Sequence, residues 1–476
     1  MVNETSAFRI GSRVLAALIG AVLVIATGIA TAPSARALPP LVEPAPPADA
    51  FYDRPADLAS LKPGEIVRTR TTSIRSLQVM PLNVDAWQLA YRTTGMNGEP
   101  DLSVTTVMVP RGKKPTKLLS YQAAADSTLR ICQSSYSTTK GGPIDLAAKE
   151  GPLTFGMPAA ELLFAGLGVQ EGWAVAMPDH GGGDDRFLTP RQPGWAVLDG
   201  IRAVENFSRL GLNAKTPVTL WGYSGGAIAS SWTIEEHPTY APELNIRGAA
   251  FGAPERDLAA SLKAVNTSLL AGLIPLALSA LGKDSEEFRG ALDKVLTPEG
   301  RARVNETRRH CMPQNVVANL WFDYNRMLTK PVDEVLRIPV IAKTIRERGV
   351  SGRVPTVPAY VYNGITEEVA PITGTDKLVD SYCKGGASVT YRREEFPPNP
   401  VKQLMTTHGT VVVTGAGGAF DWLKQRMDST GPAPSGCDIR NVFSSGLEPA
   451  AIGTFGQAIG TVLASLVGAP IGAGPR

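Results

Sequence analysis

Histidine and cysteine are scarce in this chain of 476 residues, four of each, and charged residues make up only 19% of it. None of the cysteines, Cys132, Cys311, Cys383 and Cys437, stands in a C-x-x-C pair, which argues against a thiolate zinc site. A basic stripe is also missing. The formal charge is +3, and the nearest basic runs, Arg111 to Lys117 and Arg301 to Arg309, read as solvated surface, which excludes nucleic acid as a partner. The 48 glycines have no period of three, so the chain is not collagen-like, and no repeat of 20 to 50 residues is visible. What remains is a chain that is 43% apolar with modest charge, enough to bury a core and unlike a disordered tail or a coiled coil.

Arg9 and Arg13 precede the apolar run Val14 to Ala32, and Ala35-Arg36-Ala37 follows. Positive, apolar, then small-x-small is the order a signal peptidase reads, so residues 1–37 are expected to be removed and the protein exported; an uncleaved membrane anchor is the alternative. In an oxidising compartment the four cysteines become disulfide partners, with three connectivities open.

Residues 38–57 are rich in Pro and Ala and are expected to form a surface leader. Strands are expected over 86–93, 102–109, 117–122, 173–177, 217–221, 248–251, 359–363 and 388–393, with helices over 159–165, 193–209, 225–237 and 418–427. The early strands follow one another directly, and the later ones alternate with helices, as in a mostly parallel, doubly wound α/β sheet of the α/β-hydrolase type. The core is thus expected at 58–254 and 351–445. Between these, 255–350 shows only helical patterns (258–281, 285–296, 315–326, 332–348) and is expected to be a cap, or lid, over the sheet's carboxyl edge. The run Ser268 to Leu281, apolar nearly all round, reads as buried core or as a lipid-facing lid. Residues 446–476, rich in Gly and Ala, read as a loosely attached tail.

Gly222-Tyr223-Ser224-Gly225-Gly226 lies between the strand ending at Trp221 and the helical stretch to His237. A serine on so tight a strand-to-helix turn needs neighbours without side chains, and the turn brings the Gly225 amide to a reacting carbonyl. Ser224 is the candidate nucleophile. Elimination among the histidines gives its base: His180 precedes Ser224, His237 lies about 20 Å along the helix that Ser224 begins, and His310 falls inside the cap. His408, in the polar run Thr406 to Thr410, remains, and a loop setting is expected for it. The acid should follow the strand 359–363, where Glu367 and Glu368 stand, with Asp376 and Asp380 as fallbacks.

His180-Gly181-Gly182-Gly183 spells an oxyanion motif, but it follows the wrong strand. The loop in the right place holds Asp126, either as a protonated acid that donates to an oxyanion or as an ordinary turn residue.

These segments resemble the secretory lipases of fungi and actinobacteria. The likeness runs through Ser120-Tyr121-Gln122 with Asp126-Ser127 and Cys132, Gly172-Trp173 to Asp179, the Ser224 turn, Tyr362-Asn363-Gly364 to Pro371, His408, and Trp422-Leu423 to Cys437. The resemblance implies Ser224 as nucleophile, His408 as base, an oxyanion site from Asp126 and Gly225, and disulfides Cys132 to Cys311 and Cys383 to Cys437. Two positions depart from the family pattern: Glu367 stands where an Asp is usual, and His180 where an aromatic is usual. The expectation is a secreted serine esterase, in first place a lipase acting on small-molecule or lipid esters at an oil–water or lipid interface, with no metal or organic cofactor. A short-chain esterase, an acyltransferase on envelope lipids and a catalytically inactive lipid-binding homologue are the alternatives. The sequence leaves the oligomeric state open.

Overall fold

The computed structural model describes residues 47–140, 155–396, 406–429 and 434–447, with scattered positions between 451 and 472. The signal segment 1–37, the start of the leader and most of the tail lie outside the described residues.

A ten-stranded sheet runs through the molecule: β1 (Ile66–Thr72), β2 (Val84–Thr94), β3 (Pro100–Pro110), β4 (Leu118–Gln122), β5 (Ala174–Pro178), β6 (Val218–Tyr223), β7 (Ile246–Gly252), β8 (Ala359–Gly364), β9 (Val389–Glu394) and β10 (Cys437–Val442). Their spatial order is β1-β2-β3-β5-β4-β6-β7-β8-β9-β10. The first strands are antiparallel, and all pairs from β5 to β10 are parallel. This is the α/β-hydrolase arrangement.

The central strands β4 to β8 are almost continuously buried because helices cover both faces of the sheet. Leu198 and Ile201 of α2 (Gln192–Glu205), Ile234 of α3 (Gly225–Tyr240) and Leu378 of a helix at Ile372–Lys384 pack one face. Leu162 and Leu167 of α1 (Met157–Gln170), with Phe420 and Leu423 of a helix at Ala416–Asp428, pack the other. The outermost strands escaped the sequence reading for a common reason. β1 (Ile-Val-Arg-Thr-Arg-Thr-Thr) and β10 (Cys-Asp-Ile-Arg-Asn-Val) are polar edge strands, the first half-buried and the second largely exposed, and neither shows a long apolar run.

Between β7 and β8 the chain forms α4 (Leu258–Ala264), α5 (Leu273–Asp284), α6 (Glu286–Asp293), α7 (Pro298–Thr307), α8 (Met312–Ala318) and α9 (Pro339–Arg346), with shorter turns between them. The expected helix 258–281 is two helices. It breaks at Val265–Gly272, where Thr267 takes a positive φ of 59°, and Pro275 falls at the third position of α5, where its missing N–H breaks no intrahelical bond.

The insertion has an apolar core of its own, with Phe288, Leu292, Val304 and Met327, continuous with Ile228 and Trp232 of α3. Polar and covalent ties also fasten it. Asp284, at the end of α5, accepts from Arg186 (2.9 Å), Thr189 (2.9 Å) and Arg348 (3.3 Å). Disulfides link Cys132 to Cys311, joining the segment after β4 to the insertion, and Cys383 to Cys437, joining a helix to edge strand β10. The described end of the leader is more firmly held than a surface strap. Phe51 is buried, Tyr52 bonds Ser135 (2.8 Å), and Asp49 pairs with Arg70 (2.9 Å).

Candidate active site

Ser224 sits at the turn from β6 into α3 with φ 54° and ψ −121°, a conformation that costs a non-glycine residue about 1–3 kcal/mol. Its neighbours explain the glycines. A Cβ on Gly222 would lie 2.4 Å from the Gly226 carbonyl oxygen, and one on Gly226 would lie 1.9 Å from that of Gln122. Neither position has room for a side chain.

Three groups from distant segments meet at this turn. Ser224 Oγ lies 2.9 Å from His408 Nε2, and His408 Nδ1 lies 3.0 Å from Glu367 Oε1. With Nδ1–H donating to the carboxylate, Nε2 is left as the acceptor for the serine hydroxyl. Glu367 Oε1 also accepts from the Val369 amide (2.8 Å), and Asn363 Nδ2 donates to the Ala370 carbonyl (2.9 Å), which shapes the loop that follows β8. Tyr223 donates to the His408 carbonyl (2.8 Å) with its ring 5.0 Å from the imidazole.

The expected loop setting of His408 is corrected. It is the second residue of a helix, Thr407–Thr414, capped by Thr406, whose hydroxyl accepts from the Gly409 amide at 2.7 Å. The polar run that read as a loop is the cap and first turn of that helix.

Glu368 is not the group on the imidazole. It is mostly buried without a partner for Oε1, and burial, reinforced by the charge of Glu367, pushes its carboxyl up to about 7. The fallback acids lie elsewhere: Asp376 accepts from Tyr391 (2.9 Å) and pairs with Arg393, and Asp380 pairs with Lys384. Burial lowers the basicity of His408, but Glu367, Glu368 and Asp126 together outweigh it and hold the imidazole above its ordinary value.

Asp126 follows β4 in a strained conformation, φ 41°, and is 4% exposed. Its Oδ1 has no hydrogen-bond partner, and a Cβ built on Gly225 would meet that oxygen at 1.8 Å. Burial pushes the carboxyl up to about 7, although the His408 charge pulls it down. A carboxyl that retains its proton near neutrality and stands against the Gly225 amide can donate to a developing oxyanion.

Two further residues brace the Asp126 loop, and sequence reasoning missed both roles. Glu161 accepts from Tyr121 (2.9 Å) and from the Ala124 amide (3.0 Å), with burial raising its carboxyl to about 8. It is the one charged residue in α1, a signal that was legible. His180 bonds the Ala123 carbonyl through Nε2 (2.8 Å) and is 5% exposed, so its Gly-rich motif supports the Asp126 loop from behind. The remaining histidines are engaged elsewhere, His237 with the Leu244 carbonyl (3.2 Å) and His310 with Glu306 (3.1 Å).

A slot opens from Ser224, Gly225 and Asp126 between the sheet edge and the insertion. Phe187, Ile228, Leu258, Leu273 and Ile274 wall it, and its free volume is about 50 Å³, on a scale where one water needs roughly 10–15 Å³. Its lining is largely apolar.

Fold and strand-to-helix serine turn together define an α/β hydrolase. The chain belongs to the secretory lipase family, whose model matches residues 153–435. It is 36% identical to a Mycobacterium tuberculosis protein named a probable inactive lipase, over 74% of this chain and 77% of that one. It is 32% identical to a secreted triacylglycerol lipase of Malassezia globosa, over 94% and 96%. The crystal structure of Candida antarctica lipase A in its closed state superposes with a TM-score of 0.72 at 25% identity, covering 89% of this chain and 98% of that one. Among the described residues, no helix is long and apolar enough to cross a membrane.

Proposed function

We propose that the chain hydrolyses carboxylic esters of long acyl chains, triacylglycerols among them, through an acyl-enzyme on Ser224. His408 takes the hydroxyl proton at Nε2 as Ser224 Oγ attacks the ester carbonyl, and Glu367 holds the imidazole and stabilises its cation. The Gly225 amide and the Asp126 carboxyl donate to the tetrahedral oxyanion. His408 then protonates the departing alcohol, and water repeats the sequence to release the acid.

The observation that carries this reading is the unbroken line Glu367, His408, Ser224 at the mouth of an apolar slot. The helical insertion supplies most of the slot's far wall, which favours its role as a cap that receives the acyl chain. Export with removal of residues 1–37, and action at a lipid interface, belong to the same proposal.

Labelling with a fluorophosphonate tests it: a covalent adduct on Ser224 is expected in the folded protein. Absence of the adduct would instead favour a catalytically inactive homologue, and the Mycobacterium tuberculosis relative is named a probable inactive lipase. Rates on esters of increasing acyl length, with and without an oil surface, test the lipase half; turnover confined to two-carbon esters would refute it.

A further inference from the structure

The slot has one polar feature that the reaction does not use. Apart from Ser224 and Asp126 at its mouth, the polar residues lining it are Glu255 and Ser261, against walls of Phe, Leu, Ile, Val and Ala. Ser261 donates its hydroxyl to the Val369 carbonyl and also lies close enough to Glu255 to act on its carboxyl. Glu255 is only half committed. Its Oε1 accepts the Asp257 amide at 2.5 Å, while its Oε2 is buried and has no partner. The residue is 7% exposed, on the segment that leads from β7 into α4.

We propose that Glu255 makes the slot selective for acyl chains that carry a hydroxyl or keto oxygen part-way along, by offering Oε2 as the partner for that oxygen. This rests on the ester-hydrolase reading of Ser224 and specifies its substrate class. A plain alkyl chain in the slot would keep Oε2 away from water and give it nothing in return, whereas an oxygenated chain would satisfy it. Burial, aided by the charges of Asp257 and Glu367 and opposed by the Ser261 hydroxyl and the Asp257 amide, raises the Glu255 carboxyl to about 8. At neutral pH the group therefore carries a proton and donates to a hydroxyl or a ketone alike. Once ionised it can only accept, which a hydroxyl still answers and a ketone does not.

The experiment compares p-nitrophenyl decanoate with its monohydroxy and monoketo analogues, the substituent moved one carbon at a time, on the full chain and on Glu255→Leu and Glu255→Gln. The expected result is a maximum at one position, with kcat/KM about tenfold above the plain ester. Glu255→Leu should erase it and speed the plain ester, and Glu255→Gln, which keeps a donor and an acceptor, should retain it. Raising the pH past 8 should weaken the keto preference and leave the hydroxyl one. A flat positional profile, or a maximum that survives in Glu255→Leu, overturns the inference. If the wild type were inert to every ester, the reading of Ser224 would fail instead. Calorimetric binding of decanoic against hydroxydecanoic acids to wild type and Glu255→Gln would then decide the Glu255 claim alone.

Discussion

The sheet and the helical insertion both border the slot, but they are built and fastened differently. Ser224 stands at the turn from β6 into α3, Glu367 in the loop after β8 and His408 in the first turn of the helix Thr407–Thr414, and hydrogen bonds from the Ser224 amide to Gly252, from Tyr223 to the His408 carbonyl and from the Val369 amide to Glu367 hold them in place. The insertion contributes a wall that is apolar apart from Glu255 and Ser261, and it is held to the core by the Asp284 cluster, the Ser261–Val369 bond, one disulfide and contact with α3. The molecule thus separates the part that must hold the reacting groups at hydrogen-bond distance from the part that mainly encloses the slot.

That division predicts a graded set of responses. Substitutions on the sheet side should damage turnover most. Glu367→Gln should lower kcat by about 10³-fold or more, because the imidazole loses both its orientation and its counter-charge. Glu368→Gln should cost less than about fivefold, and a reversal in steady-state kinetics would move the acid to Glu368. On the insertion side, Asp284→Asn leaves Arg186 and Arg348 facing each other without a full counter-charge in a buried setting. The expected loss is about 3 kcal/mol of stability, confined in hydrogen exchange to 258–348, with Ser224 still open to labelling. Uniform loosening of the sheet would erase the distinction between the two regions.

The smallest expected effect is on the pH profile. Asp126 in the folded protein titrates near 7, so above that pH it loses its donor and confronts the oxyanion with a like charge. Activity should fall on the alkaline side. His408 must be neutral to act as base, and its raised value sets the acid side. The two groups interact, so the profile reports their joint titration. In Asp126→Asn the alkaline fall should vanish, because the amide donates at every pH. The acid limb should move to lower pH, since a negative charge near His408 has gone. A profile identical to wild type would remove Asp126 from the chemistry.

How much of this was legible in the sequence follows the same divide. Central strands are buried on both faces, so β4, β6 and β8 announce themselves as apolar runs, and the serine turn announces itself through glycines that steric contact demands. The polar edge strands β1 and β10 carry no such signal. In the insertion, helical pattern was visible, and the break at 265–272 was marked by Asn266-Thr267-Ser268 and Gly272, signals that the apolar residues on either side masked. His408 could be found by elimination among four histidines, whereas its place in a first helical turn was hidden by threonines that serve as cap and loop residues equally well. Glu255 gave no sign at all, since only the fold turns it from a surface-like Glu-Arg-Asp run into a buried lining.

The scattering of the site along the chain has a consequence in time. Synthesis delivers Ser224 first, then Cys311, which closes the bridge to Cys132, then Glu367, and His408 last. For the stretch of synthesis between residues 224 and 408 the polypeptide therefore carries a proposed nucleophile with no base beside it, and only a nearly finished chain can assemble the line. The proposed ester chemistry is silent until the final sixth of the chain has arrived.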